Sequence, residues 1–283
     1  MFALTVTEIG NARRGIGLRS VSKRPRSTRF QNAILAFCSI TGLLFVWTLL
    51  SVYVFSPILL PSPMAVLREA IVMTQSGELQ RNIAASMQRY VLGYAGGVLA
   101  GILLGAMAGR SVITRGLAVP IINLLRPLSP VALVPLVIVW FGIGELSKVL
   151  LVGYTTFLML FFTTLAGVAS TPVIRERAAR SMGASSLEVI WHVVIPSSTA
   201  HVLTGMRVAL SSAYMSVVAA ELIAANSGIG FIIMSARFNL LTTRMFVGLA
   251  ALGILGLLTD MILSRFISRY LKRFVGEEVQ RVM

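Results

Sequence analysis

The sequence contains few of the residues that carry covalent or metal chemistry. Cys38 is the only cysteine among 283 residues, so the chain has neither a disulfide framework nor a thiolate metal site. The two histidines, His192 and His201, have no cysteine or carboxylate partner at metal-ligand spacing. No nucleophile elbow, H-E-x-x-H, C-x-x-C or G-x-x-x-x-G-K-[ST] motif occurs. These absences argue against an enzyme, and they exclude a P-loop for ATP from this chain.

Charged residues are also scarce. They make up 12% of the chain, against 56% hydrophobic residues, whereas a soluble domain carries roughly 25% charged residues. The net charge of +15 comes mainly from basic residues in the tail 1–29, in short loops and after residue 264. Because basic loops stay in the cytoplasm, this distribution predicts cytoplasmic tails at 1–29 and 274–283 and explains the charge without nucleic acid.

Six apolar segments are candidates to cross a hydrocarbon core of about 30 Å, namely residues 33–55, 90–109, 120–140, 149–168, 200–224 and 245–264. They predict an all-α integral membrane protein whose membrane domain covers residues 30–273. The third segment is rich in proline, which predicts a kinked or partly unwound helix. Such a helix is tolerated within a membrane when it is packed in protein or lines a cavity. In this third segment, the candidate residues for lining a translocation path are Pro127, Pro130 and Pro135.

Glycine recurs at every fourth position of the second segment, at Gly93, Gly97, Gly101, Gly105 and Gly109. Four residues are close to one helical turn, so these glycines form one smooth stripe. A stripe of small residues lets another helix approach closely, which is a main packing force in lipid. The partner is either another helix of the same chain or a second subunit or gate.

Two carboxylates fall within the apolar segments. Glu221 lies near the outer end of the fifth segment, and Asp260 lies near the inner end of the sixth. Carboxylates at membrane depth are costly and face either a cavity or a partner. We therefore expect Glu221 either to line a path or gate, or to pair structurally with Arg237 or Arg244.

A polar, basic loop at residues 171–198 separates the fourth and fifth segments. Thr171 is predicted to cap a first short helix, and Gly183 supplies the turn that ends it. Ser185 and Glu188 form a capping-box pattern that opens a second helix, which Pro196 is expected to close or kink. The loop is thus predicted to be two short helices folded back on each other at the membrane surface.

This loop resembles the cytoplasmic coupling loop of ABC importer permeases. The family pattern is Glu-Ala-Ala, three residues, Gly, nine residues, an aliphatic residue, one residue and Leu-Pro. The matching positions are Ala178, Ala179, Gly183, Val193, Ile195 and Pro196. Arg177 stands where the family has Glu, with Glu176 directly before it. Neighbouring helical residues point about 100° apart, so Glu176 does not simply replace that side chain.

Further segments match the nitrate/sulfonate/taurine type of these permeases, so that the resemblance covers residues 30–273. They are Leu60-Pro61-Ser62-Pro63, Leu125-Arg126-Pro127, Trp140-Phe141-Gly142-Ile143-Gly144-Glu145, Ala219-Ala220-Glu221 and Gly228-Ile229-Gly230. The resemblance implies a six-span permease of the bacterial inner membrane that works as a dimer, either with itself or with a similar chain. It also implies two cytoplasmic ATPase subunits, which bind ATP and Mg, and an extracytoplasmic solute-binding protein.

The resemblance assigns ATPase coupling to one set of loop residues, namely Glu176, Arg177, Ala178, Ala179, Gly183, Val193, Ile195 and Pro196. It implies that the solute is a small organic anion, such as a sulfonate or a taurine-like compound. The alternative is an ion-coupled secondary transporter. Such a transporter needs several intramembrane carboxylates, and only Glu221 and Asp260 qualify.

Overall fold

The computed structural model describes residues 27–270, and the regular structure in that range is entirely helical. The helices are α1 (Ser27–Leu49), α2 (Pro63–Gln75), α3 (Glu78–Arg110), α4 (Val112–Leu125), α5 (Pro130–Phe141), α6 (Glu145–Ala169), α7 (Val173–Ser181), α8 (Ser186–Val189), α9 (Ile195–Ala224), α10 (Ile229–Phe238) and α11 (Thr242–Tyr270). The predicted tails 1–29 and 274–283 lie outside the described residues, except that α1 already begins at Ser27. Within the described range, the residues up to 49 and those from 50 onward fall into two compact units.

Within residues 27–270, five helical segments are long and apolar enough to cross a membrane. They are Phe37–Val54, Glu78–Arg110, Glu145–Ala169, Ser186–Ile223 and Thr242–Phe266. The pair α4 and α5 makes a sixth span if it is counted as one bent helix. These segments confirm the predicted all-α membrane fold with up to six spans. The second span is longer than predicted, because its helix begins at Glu78, before the uncharged run.

The predicted break in the third span is a bend of 103° between α4 and α5, at residues 126–129. Proline lacks a backbone N–H and clashes with the preceding turn, so Pro127 and Pro130 both oppose a continuous helix here. Pro120 and Pro135 instead lie inside α4 and α5. The bend therefore depends on two of the four prolines in this segment.

The glycine stripe of α3 packs against α6 of the same chain. A Cβ atom at Gly97 would lie 2.6 Å from both the carbonyl oxygen of Gly153 and Cβ of Thr156. A Cβ atom at Gly101 would lie 2.6 Å from Cβ of Leu160. Gly93, Gly105 and Gly109 approach α6 equally closely. Only glycine permits these contacts, so the stripe packs within the chain, which was one of its two predicted roles.

Helix α6 also contacts α9, which makes it the central helix of the second unit. Thr163 and the backbone of Gly205 approach so closely that glycine is required at 205. The Ser216 hydroxyl donates a hydrogen bond of 2.9 Å to the carbonyl of Leu151. Tyr90 of α3, Val152 of α6 and three residues of α9 form a joint apolar cluster. The α6 helix therefore sets the spacing between α3 and α9.

The α3–α6 contact predicts different effects for two adjacent glycines. We expect Gly97→Ala to destabilise the protein by about 1–3 kcal/mol, because the added methyl group overpacks the interface. Gly96→Ala is the matched control, since its Cβ would meet nothing within 4 Å. Thermal unfolding in detergent measures both variants. Equal melting temperatures for the two variants would show that the stripe is not a close contact.

Candidate functional site

A buried charge cluster joins α3 to the start of α6 and the end of α9, away from the loop 171–198. The carboxylate of Glu221 is 1% exposed and accepts a hydrogen bond of 2.7 Å from Arg89 Nη1. It also accepts hydrogen bonds from the Ser86 hydroxyl, at 2.7 Å, and from the backbone N–H of Gly230, at 2.9 Å. Gly230 lies in the first turn of α10, where the helix dipole favours a negative charge.

Arg89 connects this carboxylate to the two neighbouring loops. Its guanidinium is 2% exposed and binds both carboxylate oxygens of Glu145, at 2.5 and 2.9 Å. It also donates hydrogen bonds of 2.7 and 2.8 Å to the carbonyl and hydroxyl of Ser227. Glu145 in turn binds Lys148, three residues further along α6, at 2.9 Å. Arg89 thus holds the starts of α6 and α10 against α3.

The predicted partners of Glu221 are wrong. The structure pairs Glu221 with Arg89, whereas Arg244 binds Glu69 and Glu78 at 2.8 and 3.4 Å. Sequence reasoning missed Arg89 because it treated this residue as the boundary of an apolar segment. The sequence nevertheless contained evidence for this pair. A buried carboxylate requires a cation, and Arg89 directly precedes the second apolar segment.

The second intramembrane carboxylate is paired as well. Asp260 of α11 forms two hydrogen bonds of 3.1 Å with Arg207 of α9. Each carboxylate that the ion-coupled alternative requires therefore binds an arginine.

The loop 171–198 forms the two predicted short helices, α7 and α8. Gly183 separates them with φ of +89°, a left-handed conformation that favours glycine. The capping box is present, with Glu188 N–H donating to the Ser185 hydroxyl and Ser185 N–H donating to the Glu188 carboxylate. Two details differ from prediction. The N-cap of α7 is Pro172, and the buried Thr171 hydroxyl has no partner among the described residues.

The second helix also does not end at Pro196. A π-helical turn, Ile190–Val194, carries the chain from α8 directly into α9, and Pro196 lies in the first turn of α9. Proline lacks the N–H that would bond to the preceding turn, and the departure from α-helical bonding at Ile190–Val194 lies directly before it. The second short helix is therefore continuous with the fifth span.

One side of the loop packs against the span ends and the other side is exposed. Glu176 forms an ion pair of 2.8 Å with Arg110, at the end of α3. Ala179, Val189 and Val194 are buried against Val168 of α6, and Val193 packs beside them. The exposed residues include Arg177, Ala178, Gly183 and Ile195, as well as the large apolar side chains of Val173, Ile174, Met182, Leu187 and Trp191. The predicted coupling residues therefore divide between both sides of the loop.

A cavity of about 560 Å³ lies beside the break between α4 and α5, and we call it the α5–α9 cavity. Its walls come from this break, from α6 and from α9. They are formed by Arg126, Leu128, Pro130, Tyr154, Thr155, Leu158, Met159, Phe162, Thr163, Ser211, Ser212 and Met215. Of the predicted path residues, Pro130 contributes to this lining, whereas Pro127, Pro135 and Glu221 do not.

A bundle of apolar helices with a broken span, a cavity beside the break and a two-helix loop at one end fits a membrane transport subunit. The chain belongs to the family of binding-protein-dependent transport system inner membrane components, which matches residues 97–275. It is the permease subunit of an ABC importer. A separate ATPase subunit hydrolyses ATP, so the permease is not itself an enzyme.

The curated relatives include permeases of several importers. The chain is 39% identical over 236 residues to the taurine transport permease TauC of Escherichia coli, covering 82% of this chain and 86% of TauC. It is 32% identical over 212 residues to the putative aliphatic sulfonates permease SsuC of Bacillus subtilis, covering 73% and 75%. It is 29% identical over 187 residues to the nitrate import permease NrtB of Leptolyngbya laminosa, covering 66% and 67%.

Solved structures of ABC transporters share the fold. A chain of the inward-facing MetNI methionine transporter aligns with a TM-score of 0.57 at 17% identity, covering 67% of this chain and 94% of that one. A chain of an amino acid ABC transporter crystallised with histidines aligns with a TM-score of 0.55 at 16% identity, covering 72% and 97%. Both likenesses concern the fold alone.

The buried cluster predicts a large loss of stability when its cation is removed. We expect Arg89→Met to destabilise the protein by about 3–5 kcal/mol, because Glu221 is then buried without a counterion. The double variant Arg89→Met/Glu221→Gln should recover part of this loss, since the unpaired charge is also removed. Melting temperatures in detergent compare the three proteins. A single variant as stable as the wild type would contradict the assigned role of Arg89.

Proposed function

We propose that this permease forms the translocation path for a small organic anion, with a sulfonate or taurine-like compound as the solute. The observation that carries the proposal is the 39% identity to a taurine permease over 82% of the chain. The likeness to the putative aliphatic sulfonates permeases of two bacteria supports the same chemistry. In this proposal the permease acts as a dimer, either of two identical copies or with a similar chain.

The proposed complex contains two cytoplasmic ATPase subunits, which bind ATP and Mg, and an extracytoplasmic protein that delivers the solute. The exposed side of the loop 171–198 is the proposed contact with the ATPase. It combines the basic Arg177 with large exposed apolar side chains, a composition typical of protein interaction surfaces. Glu176 is held by Arg110, so its proposed contribution is to fix the orientation of α7.

In the proposed orientation, the protein lies in the inner membrane, and both termini and the loop 171–198 face the cytoplasm. It rests on the excess of basic residues in these regions. The buried cluster around Arg89 would then lie toward the outer face, and the Arg110–Glu176 pair toward the cytoplasm.

The proposed solute is tested by uptake into proteoliposomes. The permease is co-purified with its ATPase and supplied with its binding protein and with radiolabelled taurine or ethanesulfonate. We expect uptake that requires ATP and the binding protein, since the permease has no P-loop. Uptake that persists without nucleotide and collapses with the proton gradient would favour the ion-coupled alternative.

The proposed orientation and docking are tested by a single cysteine in a Cys38→Ser background. Ser186→Cys places an exposed thiol at the start of α8 without removing a capping residue. We expect an impermeant thiol reagent to label it only after permeabilisation, and labelling to fall when the ATPase is bound. The matched control is Gln75→Cys, exposed at the end of α2, which should be labelled in intact spheroplasts. The reverse labelling pattern would overturn the orientation.

A further inference from the structure

Arg126 presents a charge to the α5–α9 cavity without a carboxylate partner. It lies at the break between α4 and α5, and its guanidinium carbon is 5.1 Å from the centroid of the Phe162 ring. Among residues 27–270, no carboxylate forms an ion pair with it. Its partner among the described residues is therefore the Phe162 ring. This cation–π contact leaves the N–H donors of the guanidinium available to a ligand.

Three other arginines of the membrane helices have carboxylate partners. Arg89 binds Glu221 at 2.7 Å, Arg207 binds Asp260 at 3.1 Å, and Arg110 binds Glu176 at 2.8 Å. A charged side chain within a membrane is costly unless it has a partner or faces a water-filled cavity. Arg126 has no carboxylate partner among the described residues and faces the α5–α9 cavity. A positive charge that is retained in a cavity attracts an anion and repels a cation.

The groups around Arg126 are hydrogen-bond donors and apolar surface. Ser211 and Ser212 line the cavity, and their hydroxyls make no hydrogen bond to the described residues. Helix α5 begins at Pro130, which lines the same cavity as the two serines. The N-cap of this helix, Ser129, makes no side-chain capping bond. The start of a helix carries a partial positive charge. No carboxylate occurs in the described lining, so nothing there opposes the binding of an anion.

The cavity runs along the half of α6 that is nearer the loop 171–198. Its α6 lining extends from Tyr154 to Thr163, about 14 to 27 Å from the start of that helix. The hydrocarbon core is about 30 Å thick, so the cavity begins close to its midplane and extends toward the loop. Transporters with broken helices place substrate sites near the midplane and direct half-helix starts at anionic groups. The volume of about 560 Å³ is in the range that encloses a small molecule.

We propose that Arg126, Ser211 and Ser212 form a subsite for the sulfonate group of the transported anion. The first turn of α5 supplies additional positive potential there. The short carbon chain of the solute lies against the apolar wall formed by Leu158, Met159, Phe162 and Met215. This inference rests on the proposed function. It adds that the permease itself selects for negative charge, in addition to any selection by the binding protein.

The test measures ligand binding to the purified permease–ATPase complex without the binding protein. The probes are ethanesulfonate and its neutral isostere ethanesulfonamide, and calorimetric titration gives the affinity of each. We expect the wild type to bind the anion at least tenfold more tightly than the neutral compound. Arg126→Gln should remove this preference, whereas Arg126→Lys should retain most of it because the charge is kept.

Arg115→Gln is the matched control, because Arg115 is an exposed arginine of α4 outside the cavity lining. Its affinity for ethanesulfonate should equal that of the wild type. Size-exclusion elution verifies that each variant is assembled. If Arg126→Gln does not assemble, the double variant Ser211→Ala/Ser212→Ala replaces it and should bind ethanesulfonate several-fold more weakly.

Three results would overturn the subsite: equal affinity of the wild type for both probes, binding of neither probe, or unchanged affinity in the assembled variant. The last two are the outcomes expected if the cavity is filled by a second copy of the permease or by lipid. Uptake separates this inference from the proposed function. Anion import by the complete importer that is unchanged in Arg126→Gln refutes the subsite alone, whereas absence of anion import in the wild type refutes the proposed function.

Discussion

The close contact between α3 and α6 is the constraint on which the second unit depends. Lipid offers no hydrophobic driving force between helices, so association relies on close packing and on polar contacts. The glycine stripe brings the backbone of α6 within reach of α3, and α9 packs on α6 at Gly205. Once these three helices are fixed, the buried cluster lies at one end of them and the loop 171–198 at the other.

The paired charges of the membrane helices serve the structure, whereas the unpaired charge of Arg126 is the one that we propose to serve transport. Arg89 and Glu221 are almost fully buried and satisfy each other together with hydroxyls and backbone N–H groups. Such a network is costly to disrupt, which suits a fixed joint between helix ends. Arg126 lies at a break in the backbone and faces a cavity. A cation without a carboxylate partner suits the proposed anion subsite.

The loop 171–198 connects the membrane helices to the proposed ATPase contact. Its buried side is attached to α3 by the Arg110–Glu176 pair and to α6 by an apolar cluster. The π-helical turn Ile190–Val194 joins α8 to α9 without an intervening coil. Helix α9 also forms a wall of the α5–α9 cavity, so one continuous helical segment joins the loop to that cavity.

The sequence by itself determined the fold class, the approximate spans, the broken third span and the two-helix loop. The bilayer requires long apolar runs, and proline, glycine and capping residues act locally, so these features can be read without tertiary information. The spacing of four also identified the glycine stripe, although not its partner. Only the tertiary structure paired Glu221 with Arg89, which is 132 positions away, and placed Arg126 in a cavity. Such pairings depend on the rotation and tilt of each helix, which packing against neighbouring helices decides.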